Sequence, residues 1–143
     1  MADVSDLYYA LLDAWNRRDA RSYAALFADD GYVVGFDGSE MNGREQIEQS
    51  LGTVFADHDT GRYVAEVRAE RTISDDVAML AAVAGLVPAG GIDLNPELNA
   101  VQTLVAKHED GAWRIVQFQN TPARFHGRPQ DAEALTNELR ALV

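Results

Sequence analysis

The sequence predicts an α+β fold: a curved antiparallel sheet wrapped around N-terminal helices. Three observations predict it. Apolar residues recur at helical spacing before residue 60, one short strand candidate lies among those helices, and four long strand candidates follow after Gly61. A chain of 143 residues makes one domain, spanning 1–143, that can bury roughly two-thirds of its unfolded surface.

Leu7, Tyr8, Leu11, Leu12 and Trp15 form an apolar stripe on a first helix over 4–17. Asp19 can cap a short second helix carrying Tyr23, Leu26 and Phe27, and Asp29-Asp30-Gly31 has the chemistry of a turn that ends it. Asn42 with Glu45 three residues on has the form of a capping box, opening a third helix that buries Ile47, Leu51, Val54 and Phe55. From Tyr63 the period is two, with Ala65, Val67, Ala69 and Ile73 alternating against charged and polar residues. Val77 to Val87 is apolar on both faces, so this strand is expected to be central and covered twice, the second cover being a partner subunit or the C-terminal tail. Pro88 to Pro96 reads as a loop at the open end. Leu98–His108 and Trp113–Thr121 read as a hairpin across Glu109-Asp110-Gly111, and Pro129 suits the first turn of a last helix presenting Ala132, Leu135, Leu139 and Leu142.

With 47% apolar and 24% charged residues the chain reads as globular, and its longest apolar run is too short to span a bilayer. A formal net charge of -11, with only Arg17, Arg18 and Arg21 grouped, disfavours nucleic acid and acidic partners. Zero cysteines exclude disulfides and thiolate chemistry and fit a reducing compartment; with no apolar leader at Met1-Ala2-Asp3, a cytoplasmic location is expected. His58, His108 and His126 show no ligand spacing, so no metal is expected, and no nucleotide, dinucleotide or serine-hydrolase motif is present, so no cofactor is expected either.

The segments Trp15-Asn16-Arg17-Arg18-Asp19, Phe27 to Val34 and Asn42 to Ile47, together with Asp110 to Ile115 and Gln117 to Pro122, resemble the NTF2-like superfamily in its SnoaL-like and ketosteroid-isomerase-like branches. The resemblance spans nearly the whole chain and implies a cone enclosing a small-molecule pocket. It is closest to a branch of small proteins encoded beside enediyne polyketide genes, which implies a role with a hydrophobic polyketide-type intermediate in antibiotic biosynthesis. Steroid isomerisation is not implied. The positions that would carry its oxyanion donor, base and second acid fall on Leu11, on Gly35, and on or beside Thr103.

If Gly35 faces inward, strand parity turns Asp37 inward as well, where an apolar setting would raise its pKa and suit it to general acid or base work; the alternative is a polar turn at Asp37-Gly38-Ser39. The resemblance puts Arg114, Val116, Phe118 and Asn120 on the inner face of the last strand. There Asn120 would bind a ligand carbonyl and Phe118 wall the pocket, or Asn120 is a satisfied polar residue. Trp15, Tyr32 and Thr103 complete the expected pocket, opening toward the Pro88 to Pro96 loop, each with an ordinary core, surface or strand role as its alternative. Three functions remain open: an acid–base isomerase, cyclase or hydratase; a non-catalytic protein that sequesters the ligand; and a structural dimerisation domain. A homodimer is expected through the outer sheet face near Gln117 and Gln119.

Overall fold

The computed structural model describes residues 3–143; Met1 and Ala2, where a leader was sought, lie outside them. The chain runs α1 (Val4–Asn16), α2 (Ala20–Ala25), β1 (Phe27–Val34), β2 (Glu40–Asn42), α3 (Arg44–Asp57), β3 (Arg62–Ser74), β4 (Val77–Val87), a 3-10 turn (Pro96–Leu98), β5 (Ala100–Glu109), β6 (Ala112–Pro122) and α4 (Pro129–Arg140). The six strands form one open sheet in the order β2-β1-β6-β5-β4-β3. All neighbours are antiparallel except β1 and β6, so the sheet is mixed where a purely antiparallel one was expected.

The apolar stripe does what helical periodicity requires. Val4, Leu7, Tyr8, Leu11, Leu12 and Ala14 bury against Leu80, Leu104, Ala106 and Ile115 on one face of the sheet, and α2 and α3 add Tyr23, Ile47, Leu51 and Phe55. Asp3 closes a capping box with Asp6 at α1, and Asp19 caps α2 by accepting from the Ser22 backbone N–H at 3.0 Å. At α3 the expected box between Asn42 and Glu45 does not form, and the N-cap makes no side-chain hydrogen bond. Gly43, at φ 93, is the N-cap, and the Gln46 side chain accepts from the Asn42 N–H, a backbone turn that a β-carbon would strain.

Asp29-Asp30-Gly31 lies inside β1 rather than ending α2. The pairing of β1 with β6 slips between Phe27 and Tyr32, and Arg44 satisfies the Phe27 carbonyl with Nε at 2.9 Å and Nη2 at 2.6 Å while pairing with Asp29 at 2.7 Å. On the opposite face of the sheet, α4 covers β4. Leu135 and Leu139 bury Val83, Val87 and Leu94, so the second cover of the doubly apolar strand is the C-terminal helix over that half. Leu142, expected on the helix face, lies beyond the helix and is exposed.

Candidate functional site

The interior of the cone keeps a cavity of about 120 Å³ between the helices and the sheet. Leu12, Trp15 and Tyr23 form its helical wall, and Val33, Phe118 and Asn120 its sheet wall. Tyr63 stands between them, and the half-buried Val34, Gly35, Phe36 and Met41 form the mouth. Trp15 packs edge-on to Phe55 at 5.2 Å between centroids and against Tyr63 at 5.5 Å. Its indole N–H donates 3.1 Å to the Gly61 carbonyl and so is not free for a ligand. That bond depends on close backbone approach, since a β-carbon at Gly61 would collide with the Val87 carbonyl.

The polar groups form one chain. The Tyr8 hydroxyl donates to Gln102 Oε1 at 2.6 Å, Gln102 Nε2 to Asn120 Oδ1 at 3.3 Å, and Asn120 Nδ2 to the Tyr63 hydroxyl at 3.1 Å. Asn16 holds the Tyr63 backbone from both sides, accepting its N–H at 2.7 Å and donating to its carbonyl at 3.1 Å. Burial pushes the Tyr8, Tyr23 and Tyr63 phenols up from their ordinary values, so all three stay protonated. Among the described residues, no Asp, Glu, His, Lys or Arg lines the cavity. None of their His, Asp and Glu side chains gather into a group of three that could hold a metal ion.

Of the six residues expected here, the structure brings Trp15, Phe118 and Asn120 together at the cavity. Asp37 is outside it. The strand ends at Val34, the carboxylate lies exposed in the β1–β2 turn, and the Ser39 backbone N–H donates to it at 2.9 Å, which pulls its pKa down rather than up. Tyr32 and Thr103 lie on the opposite sheet face, in register with Gln117 and Gln119, because Val33 and Gln102 take the inward positions. Arg114 and Val116 do not face inward. A bulge leaves Val116 without a partner between Ile115 and Gln117, so Trp113 and Ile115 precede the bulge on the same face that Phe118 and Asn120 occupy after it. The Pro88 to Pro96 segment contributes no lining residue; its first residues border a separate groove with Asn16 and Thr60.

Sequence reasoning missed Tyr63, Gln102 and the Tyr8 hydroxyl as site groups. The available signal was Gln102, the one polar residue in the otherwise apolar inward row Ala100, Leu104 and Ala106.

Residues 4–123 match the sequence model of a family described as a SnoaL-like domain. A protein of unknown function with a cystatin-like fold from Nostoc punctiforme PCC 73102 superposes with a TM-score of 0.79 at 21% identity, covering 93% of this chain and 86% of that one. An NTF-2 like protein of unknown function from Shewanella oneidensis MR-1 gives 0.68 at 19%, covering 82% and 95%. A ketosteroid isomerase-like protein from Erwinia carotovora atroseptica SCRI1043 gives 0.67 at 19%, covering 85% and 94%. These likenesses establish the NTF2-like, cystatin-like α+β fold and no activity. No curated protein matches the sequence significantly.

Proposed function

The chain belongs to the SnoaL-like domain family, and from that premise we propose that it is a small-molecule-binding protein. Its cavity takes one hydrophobic ring or chain end and performs no proton transfer through a carboxylate or imidazole. One observation carries this reading: the groups facing the cavity are aromatic, aliphatic or neutral hydrogen-bonding side chains. General acid–base catalysis near neutral pH needs a group that titrates there, and a buried phenol does not. With Asp37 held in an exposed turn, the acid–base reading has no base to use.

The volume bounds the ligand. An apolar cavity of about 150 Å³ holds benzene, whereas sites that enclose drug-sized molecules run from about 300 Å³ upward. At about 120 Å³ the cavity fits a single small ring. A polyketide-type intermediate of the enediyne class would insert one terminus and lay the remainder across Phe36 and Met41 at the mouth. A homodimer fits the same picture. Beyond the reach of α4, the outer sheet face presents half-buried Met79, Ala81 and Val105 and exposed Val101 beside Gln117 and Gln119. Sedimentation at micromolar concentration is expected to give twice the 15.7 kDa chain mass, and a monomer would refute that part. The cysteine-free composition supports a cytoplasmic setting. Among the described residues, no helix is long and apolar enough to cross a membrane.

Titration with benzene, followed by NMR at the Trp15 indole, tests the reading. Saturable shifts are expected, and they are expected to vanish in Val33→Phe, which fills the cavity. Unsaturable shifts, or equal shifts in the filled variant, would leave a structural domain with an unused void.

A further inference from the structure

The hydrogen-bond chain behind the cavity has a direction, and its buried end sets it. Tyr8 is fully buried, and among the described residues its hydroxyl has one hydrogen-bond partner, the Gln102 side chain at 2.6 Å. A buried proton left without an acceptor is costly, so Gln102 must turn its carbonyl oxygen to Tyr8. Its NH₂ then faces Asn120, which must answer with Oδ1 and turn its own NH₂ to the Tyr63 hydroxyl. A hydroxyl that accepts from Asn120 keeps its proton free. No acceptor for the Tyr63 proton exists among the described residues, and Tyr63 lines the cavity.

We propose that the ligand carries a neutral hydrogen-bond acceptor, a ketone or aldehyde oxygen on an apolar ring, and that the Tyr8–Gln102–Asn120–Tyr63 chain enforces this by fixing which end of every bond donates. The inference rests on the small-molecule-binding reading above and names the chemistry of its ligand. The free donors at the cavity are the Tyr63 O–H and the second N–H of Asn120, with the unpartnered Tyr23 hydroxyl able to turn either way. A carboxylate would lose its hydration in a cavity lined, among the described residues, by no cation, which neutral donors repay poorly. A purely apolar ligand would leave the Tyr63 proton unbonded. Tyr8 touches no ligand and is a positioning residue.

Cyclohexanone and methylenecyclohexane differ only by C=O against C=CH₂ and suit the cavity as probes. Their dissociation constants are measured on the intact protein, on Tyr63→Phe and on Tyr8→Phe. Tyr63→Phe is expected to weaken cyclohexanone about fivefold to tenfold and to leave methylenecyclohexane within about twofold. Tyr8→Phe frees Gln102 to turn over, and the same selective loss is expected at about threefold; a merely structural role for Tyr8 would weaken both probes alike. In the intact protein the infrared carbonyl stretch of bound cyclohexanone is expected below its value in hexane, a readout that stands even where a variant does not fold. Equal effects on the two probes, or a stretch unshifted from hexane, would overturn the directional chain while leaving the binding pocket in place. Failure of both probes to bind the intact protein would overturn the pocket reading and this inference together.

Discussion

The two faces of β4 carry hydrophobic clusters of different character. On the inner face, Ala78, Leu80 and Ala82 belong to a continuous buried core drawn from three helices and four strands, with a void inside it and its buried polar side chains tied into one chain. On the outer face, Val83 and Val87 meet a small cluster closed by α4 alone. It is held at its rim by Arg68 with Glu138 and by Arg140 with Asp93, and among the described residues Asn99 Oδ1 has no hydrogen-bond partner. Apolar burial is similar residue for residue, but only the inner cluster surrounds polar groups aimed at an empty space. On the proposed reading, the inner side carries the ligand chemistry and the outer side is a cover whose loss is expected to leave the site standing.

Substitutions can break this contrast. Leu104, fully buried in the inner core, is expected to cost about 4 kcal/mol when changed to Ala, seen as a drop in global unfolding free energy by denaturant titration. Leu139→Ala removes a comparable volume from the outer cluster and is expected to cost about 3 kcal/mol. Hydrogen exchange should localise that loss to α4 amides, with benzene affinity unchanged. Exchange rising uniformly through the sheet would erase the distinction between the clusters. Tyr8→Phe is expected to destabilise by about 1–2 kcal/mol, since it leaves one end of the Gln102 amide unpaired in the core.

The rim of the outer cluster supplies a smaller, pH-dependent effect. Hydrogen bonding to Arg68 holds the Glu138 carboxyl at about 2, below its ordinary 4.5. A depressed folded value gives stabilisation that is present above 4.5 and lost as pH falls toward about 2. Glu66 is shifted the other way, chiefly by its hydrogen bond with Glu138, so its contribution is present below its unfolded value and fades as pH rises through the folded one. The pairs are exposed, so the effect is modest and screened by salt. Amide protection of α4 is expected to fall between pH 4.5 and 2, and Arg68→Met is expected to flatten most of that dependence. The smallest effect belongs to Asp37→Asn, for which benzene affinity is expected to stay within twofold; a tenfold loss would return that carboxylate to the site.

The fold was legible where periodicity is unambiguous. The stripe from Leu7 to Trp15, the limits of β4 at Val77 and Val87, and Pro129 opening α4 all follow from spacing and backbone chemistry. The site was legible only in part, because strand parity is read by counting and a bulge changes the count. Phe118 and Asn120 lie beyond the bulge at Val116 and face inward as counted, whereas Arg114 and Val116 do not. Asp37 fails for a related reason: alternation was extended past Val34, where the strand has already given way to a turn. Gln102 shows a third limit. Its inward position was one residue from the one assigned to Thr103, and a shift of one reverses the face.

Whether the inner void is an accessible pocket is the claim on which the rest depends. Xenon under pressure reports it directly, because the gas enters apolar cavities and scatters strongly. A xenon-derivatised crystal is predicted to show one atom enclosed by Leu12, Trp15, Val33 and Phe118. No xenon at that site, with xenon bound elsewhere, would contradict the account.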